Sequence, residues 1–377
     1  MKEIKTQTDF QDFAKKYWED HTKPYAFAIG RQFVDKKGYP IAVRWLTVNL
    51  TEKASGTMAA ICDALKISTL IDDFALLPVS LERDKVDGLL SDYFHVFEDG
   101  DHPNITALKQ IKEWPAEWKA CVFIVKNKKL LETMPIENMY DAYFRLGLVS
   151  HRLCLPGELR IIAGEMMPKL KNLAWYAGGV TTVEEWNAKP FKTEALLLED
   201  KLPPYVWAMP LNEAVRILNP LVRFGAYLGD GTTVMPYGWI NFNAGIKKGM
   251  VEGRISGGVL VGEGTDIGAG SGILGTMSGG NKTVISIGDN CLIEANAEVG
   301  ISLGNNCRVC MNTCFHGNTP VIEICENKGR REAKAGDFSG MDNITIRTNS
   351  LTGAIEVLHQ SNKVGLNEAL HQNNSKP

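Results

Sequence analysis

The sequence predicts a mainly β protein built around a parallel β-helix of six-residue rungs, preceded by an α/β region and closed by a short β cap. Two observations carry that fold class. Aliphatic residues recur every sixth position, at Val222, Leu228, Val234 and Ile240, then at Ile255, Val261, Ile267 and Ile273. After a slip the spacing returns at Ile287, Ile293 and Val299, and once more at Leu303 and Val309. A period of six is neither a helical face nor a flat strand's alternation. It suits coils in which each short strand sends one aliphatic inward and then turns. The second observation is a small residue four places after most of these aliphatics: Ala226, Thr232, Gly238, Ala244, Thr265, Ser271, Cys291, Ala297, Cys307 and Thr313. Met277 is the one large side chain in that column. A narrow prism needs small residues there.

One six-residue strand buries too little apolar surface to stand alone. Stacked coils pair their edges at roughly 4.8 Å and share one aliphatic column. Glycine often follows the aliphatic directly (Gly229, Gly262, Gly268, Gly288, Gly304), where a tight corner favours a residue without Cβ. The outer faces are flat and poor in side chains, so grooves between neighbouring faces suit a long, thin ligand.

The 377 residues allow two or three domains. The expected division is an N-terminal α/β domain with its connector over 1–205, the β-helix over 206–318, and a loop and hairpin over 319–377. A net charge of −3 and no basic run argue against a nucleic-acid partner. The opening MKEIKTQTDFQDF lacks the apolar core of a secretory signal, and no apolar run is long enough to cross a bilayer. Eight cysteines in a chain of this length point to reduced thiols and a cytoplasmic location.

Taken in order, Phe10 to Trp18 reads as a short amphipathic helix. Tyr25 to Phe33 and Ala42 to Leu50 read as strands joined by a turn at Lys36–Pro40. Ala54 to Leu65 has helical spacing, and Trp118 to Val125 is another strand. Nothing in this region looks catalytic, so it is expected to serve packing or assembly. Asn138 to Leu153 is a helix, because Tyr140, Tyr143, Phe144, Leu146, Leu148 and Leu153 repeat at three and four. Pro156-Gly157 stops it, and His151 at its end reads as a partner of the helix dipole. Leu170 to Pro220 reads as an extended connector. Beyond Cys314, Glu323 to Ala335 is charged, Gly336 to Gly340 is loop-like, and Ile344 to Arg347 with Ala354 to Leu358 form a hairpin. The last dozen residues are polar and expected to fray.

Several motifs invite chemistry. Gly262 to Gly272 lacks the G-x-G-x-x-G spacing and the strand-to-helix context of a dinucleotide site. Ser278–Lys282 lacks the Walker arrangement and reads as a loop ejected from the coil. Cys307-x-x-Cys310, with Cys314 and Cys325, resembles a zinc set, but Cys307 falls on the small inward position, away from Cys310. Met250–Ser256 breaks the six-residue pattern between Ile240 and Ile255 and is expected to bulge outward. It carries Glu252 and Arg254, and its apolar and glycine-rich surroundings suit a specific site better than a solvated ion pair.

At this segment the sequence resembles a known family. NFNAG (241–245), MVEGRIS (250–256), GTMSGG (275–280), VISIG (284–288) and GISLG (300–304) resemble the tetrahydrodipicolinate N-succinyltransferases. So do the helix YDAYFRLGLVSHRL (140–153) and RTNSLTGAIEVL (347–358), which are similar to that family's longer-chain branch. The resemblance implies a homotrimer of left-handed β-helices with active sites between subunits. It implies succinyl transfer from succinyl-CoA to the amine of an open-chain 2-amino-6-oxopimelate, in lysine and diaminopimelate biosynthesis. It places the catalytic carboxylate on Glu252 and acyl-CoA contacts on Arg254, Ala269, Gly272, Ala295, Lys334, Arg347, Asn349 and Ser350. Some relatives hold a divalent ion with acidic residues early in the prism. Here Asn219-Pro220 and Pro236-Tyr237 stand in that region, so no metal is expected.

The residues fit such chemistry. A thioester is already activated, so the enzyme must deprotonate an ammonium, orient two partners and stabilise an oxyanion. Glu252 could serve as general base or as acyl acceptor. Backbone amides of Gly275–Gly280 could face the oxyanion. Arg254 offers a planar fork to a carboxylate, and Lys334 and Arg347 could meet CoA phosphates. One alternative is an acetyl-CoA-dependent acyltransferase using His316 as base. Another is a non-catalytic β-helix scaffold, whose metal-binding relatives need several histidines in the coils; residues 222–314 contain none.

Overall fold

A computed structural model of the chain describes residues 4–67, 76–98, 100, 102–190, 193–277, 283–325 and 329–359. Residues Met1–Leu148 and Leu159–Leu202 form one compact unit, and Val149–Glu158 with Pro203–Pro377 form the other. Among the described residues no helix is long and apolar enough to cross a membrane.

In the first unit a helix, α1 (Gln7–Asp20), is capped by the Thr6 hydroxyl, which accepts from the Asp9 amide. Four strands follow: β1 (Ala26–Val34), β2 (Pro40–Leu50), β3 (Leu76–Ser80) and β4 (Lys119–Val125). They pair in the order β2-β1-β4-β3, antiparallel throughout. The β1–β2 turn is fixed by Asp35, whose Oδ1 accepts from the Lys37 and Tyr39 amides at 3.0 and 2.9 Å. Both sheet faces are apolar because both are covered. Phe27, Ile29, Val122 and Ile124 pack with Phe10, Met58, Ile61, Leu89 and Leu108 of the helices on one side.

On the other side, the helix Met139–Ser150 brings the Phe144 ring 5.2 Å from that of Phe123. Arg145 of that helix is fully buried. Its guanidinium is nevertheless satisfied by both oxygens of Asp141 and by the carbonyls of Leu131, Met134 and Arg160, so the burial leaves no unpaired charge.

Residues 170–202 are no extended connector. Leu173–Tyr176, Gly179–Thr182 and Leu196–Asp200 pair into a three-stranded antiparallel sheet. Buried Trp175 holds it, its Nε1 donating to the Asp200 carbonyl at 2.8 Å.

The second unit is a three-sided coil of parallel strands. One ladder runs Leu228, Ile246, Val261, Ile287, Leu303. A second runs Ile217, Val234, Val251, Ile267, Ile293, Val309, Ile346. The third runs Ile240, Ile255, Ile273, Val299, Phe315. Almost all of these side chains are buried and they form one continuous core. The small inward residues sit beside them: Thr232, Thr265, Cys291, Ala297, Cys307 and Thr313 are each fully buried.

Cys291 and Cys307 donate to the Gly304 and Met341 carbonyls inside the coil, whereas Cys310 is half-buried and Cys314 exposed. Of the would-be zinc set, Cys307 is therefore inside the coil, Cys310 and Cys325 are half-buried and Cys314 is exposed. At the far end Pro320–Ile324 pairs antiparallel with Arg330–Lys334, and Ile344–Thr348 with Ile355–His359. The sequence had shown only the second pair. The terminal residues expected to fray, 360–377, lie outside the described residues.

His151 belongs with this unit and departs from its expected role. Its Nε2 is buried with no hydrogen-bond partner. Burial, reinforced by the Arg152 charge, pushes its pKa down to about 4. A neutral imidazole is no cationic dipole partner.

Candidate active site

The site is built on one edge of the coil, where the second ladder hands over to the third. Its ordinary corners are alike. Val234 to Ile240, Ile267 to Ile273, Ile293 to Val299 and Val309 to Phe315 are each six residues apart. Each closes a four-residue turn in which the small inward residue donates back: Gly238 to Met235, Ser271 to Gly268, Ala297 to Glu294 and Thr313 to Cys310. Gly270, Asn296 and Asn312 supply the positive φ on three of them.

The Met250–Ser256 segment does the opposite of bulging. Met250 and Val251 end one strand in register with Asp266 and Ile267, and Arg254 and Ile255 begin the next in register with Gly272 and Ile273. Val251 and Ile255 are only four residues apart, so this corner is two residues short. Glu252 and Gly253 alone turn it. The Glu252 amide donates to Ile267 O at 2.7 Å and the Arg254 amide to Ser271 O at 2.8 Å, so the backbone passes directly from one ladder to the other.

Gly253 is obligatory here: a Cβ would lie 2.5 Å from both the carbonyl oxygen and Oγ of Ser271. The corner is two residues shorter than its neighbours, the Pro236-Tyr237 corner on one rung and the Ala269-Gly270 corner on the next, and this shortened corner is the recess of the edge. Half-buried Glu252 stands in it. Among the described residues no side chain pairs with its carboxylate.

One further residue is missing one side earlier. Lys248 and Gly249 break the register between the strands Ala244–Val251 and Leu260–Ile267, which shortens the interval from Ile246 to Val251 to five residues. Ile246 still falls six residues after Ile240, but the spacings of five and four that follow hide Val251 from a strict six-residue count.

Five of the residues assigned from the resemblance come together on this edge. Glu252, Ala269 and Ala295 occupy corners on three successive rungs, and Arg254 and Gly272 are in register at the start of the third ladder. Arg347 follows Ile346 on the same edge, above Cys310, whose amide donates to Ile346 O. From the Glu252 rung to the Arg347 rung is four steps, a track of roughly 19 Å.

Arg347 and Asn349 converge on Glu356, at 2.9 and 2.8 Å. Glu356 is 1% exposed, and the Asn349 amide, then the arginine, hold its carboxyl below the usual range. Ser350 is exposed on the following loop. Lys334 is not brought to the edge by any hydrogen bond or ion pair among the described residues. It ends the pair Pro320–Ile324 with Arg330–Lys334, where its amide donates to Asp337.

The remaining candidates separate. Of the proposed oxyanion segment, Met277 spends its amide on Thr283 O, and residues 278–282 lie outside the described residues. His316 is exposed, with Nδ1 accepting from the Asn318 amide at 3.2 Å. Asn219, in place of a metal-binding acid, donates to Gly238 O and accepts from the Leu221 amide.

One residue was missed. Glu298 forms an ion pair with Arg254 across Gly272. The sequence held the signal, because residues 254, 272 and 298 each immediately precede a column aliphatic.

Comparison with known proteins agrees with the six-residue repeat of the coil. Residues 284–314 match a family model described as "Hexapeptide repeat of succinyl-transferase". A Pseudomonas putida protein named 2,3,4,5-tetrahydropyridine-2,6-dicarboxylate N-succinyltransferase is 40% identical over 255 residues, covering 65% of this chain and 73% of the relative. A Vibrio cholerae protein of the same name is 40% identical over 248 residues, 63% of this chain and 71% of the relative. A solved structure from Campylobacter jejuni, provisionally assigned as a 2,3,4,5-tetrahydropyridine-2-carboxylate N-succinyltransferase, superposes with a TM-score of 0.82 at 28% identity. It covers 94% of this chain and 98% of that one.

Proposed function

This chain belongs to the 2,3,4,5-tetrahydropyridine-2,6-dicarboxylate N-succinyltransferase family, and we propose that the short corner at Glu252 is where its transfer takes place. The enzyme is an acyltransferase that carries out the succinyl-transfer step of lysine and diaminopimelate biosynthesis. The relatives' names favour this over the acetyl alternative built on His316. Its donor is succinyl-CoA and its acceptor the amine of 2-amino-6-oxopimelate.

The observation that carries the site is the two-residue contraction. It sets a carboxylate with no side-chain partner among the described residues into a recess on an edge otherwise closed by regular turns. Succinyl-CoA lies along that edge, its thioester at Glu252, its arm past Ala269, Gly272 and Ala295, and its anionic end toward Arg347, Asn349 and Ser350. Lys334 reaches the phosphates from the neighbouring pair. Arg254 gives its fork to a carboxylate of the donor or acceptor.

Glu252 acts as general base. It takes the proton of the acceptor ammonium, the freed amine attacks the thioester carbonyl, and the C–N bond forms. The tetrahedral intermediate then collapses with cleavage of C–S, and CoA leaves as the thiol after taking up a proton.

The working unit is a cytoplasmic homotrimer of left-handed β-helices with sites between subunits. Residues 1–205 serve packing and assembly, 206–318 the coil and 319–377 its closure. Leu221 and Tyr237, on the corners of the two rungs below Glu252, are 54% and 82% exposed, as expected of apolar residues that a second copy covers.

Glu252→Gln should lower kcat by about a thousandfold while the trimer mass and CoA affinity stay unchanged. A variant keeping a tenth or more of the wild-type rate would remove Glu252 from this role.

A further inference from the structure

We propose that Glu298 is a positioning residue for the transfer, anchoring the Arg254 guanidinium across the gap left by Gly272. This rests on the reading of Arg254 as a substrate contact. Arg254 pairs in register with Gly272, and Gly272 with Glu298. The two charged residues are therefore two rungs apart, roughly 10 Å along the coil, too far to meet without reaching over the rung between.

That rung has no side chain. A Cβ at Gly272 would lie 2.4 Å from Glu298 Oε2 and 2.8 Å from Arg254 Nη2, so glycine is what lets the pair close. The arginine is thereby drawn up the wall onto the rung of Ala269, next to the recess.

The contact is one-sided, from Nη2 to Oε1. No further hydrogen bond is formed at Nε or Nη1 among the described residues. A guanidinium presents its five donors in a fixed plane, so fixing one end aims the other. The side chains are 43% and 33% exposed, so the pair contributes little to folding. Its effect is to hold a long, flexible arm in one orientation before substrate arrives.

The test is a double-mutant cycle on the full-length enzyme, reading KM for succinyl-CoA, kcat and Tm. Arg254→Ala should raise KM by about tenfold. Glu298→Ala should raise it by about three- to fivefold with kcat within about twofold, and Glu298→Gln, which keeps an acceptor, should fall between. In the Arg254→Ala background, Glu298→Ala should change nothing further. Should Glu298→Ala lower Tm, Glu298→Gln at unchanged Tm decides.

A silent Glu298→Ala, or one that multiplies its full effect onto Arg254→Ala, overturns the proposal while leaving Arg254 in place. A silent Arg254→Ala removes the Arg254 contact itself, and the role of Glu298 with it.

Discussion

The corner at Glu252 and the corner one rung above it, at Ala269, join the same two ladders but are built differently. At Ala269 six residues separate the column aliphatics and a hydrogen-bonded turn fills the edge. At Glu252 four residues do, no such turn forms, and the edge is indented around a carboxylate. Regular corners give the coil its stability, because each one closes its own backbone and seats a small residue inward. The irregular corner gives it a place to bind. A repeat architecture with flat walls makes a pocket most economically by omitting residues from one turn, since the rungs above and below stay rigid.

The largest effect should come from making the two corners alike. Inserting two residues after Gly253 restores the six-residue interval and should lower kcat/KM by about a thousandfold, because Glu252 would move out of the recess. Near-wild-type turnover with the insertion would mean the contraction is incidental.

A second change separates acid sensitivity of the fold from that of the chemistry. The unfolded chain protonates His151 near its ordinary 6.5, whereas the folded state resists until about 4. Stability from this group is therefore complete above pH 6.5 and falls as pH drops toward 4, by up to roughly 3 kcal/mol. Denaturant titrations of His151→Gln should show a flatter decline over that window, while the pH–rate profile keeps its shape. An unchanged decline would place the acid sensitivity elsewhere.

The smallest effect concerns the backbone of the short corner itself. Gly253→Ala drives a Cβ against Ser271 and should cost about 2 kcal/mol, a drop in Tm of a few degrees. Gly257→Ala, whose nearest atom would be 3.4 Å away, should leave Tm nearly unchanged. Equal melting temperatures for the two variants would show that the corner relaxes freely.

Much of the coil was legible in the sequence because its signal is repeated. The aliphatic column and the small column test each other at every rung, so a chance match fails within a few rungs. The edge was legible only as a break: Ile246 and Val251 both sit in the core, Ile246 six residues after Ile240, but the intervals of five and four that follow conceal Val251. An interrupted repeat reads equally as an insertion or a deletion until the register of the neighbouring rungs is known, hence the expected bulge.

In the first unit the strands over 26–34, 40–50 and 119–125 announced themselves through β-branched and aromatic runs. Their antiparallel order depends on contacts far apart in the chain, which no local pattern encodes. The sheet over 173–200 was hidden by its short strands and by the prolines that follow it at 203, 204 and 210. Glu298 was missed because its partner lies 44 residues away and meets it only through the coil's register.

The most direct measurement is a crystal structure of the Glu252→Gln enzyme with succinyl-CoA. The thioester carbonyl carbon should lie within about 4 Å of the residue 252 side chain, with the pantetheine arm running past Ala269 and Ala295. A thioester seated beside His316, with the recess at Gly253 empty, would contradict the account.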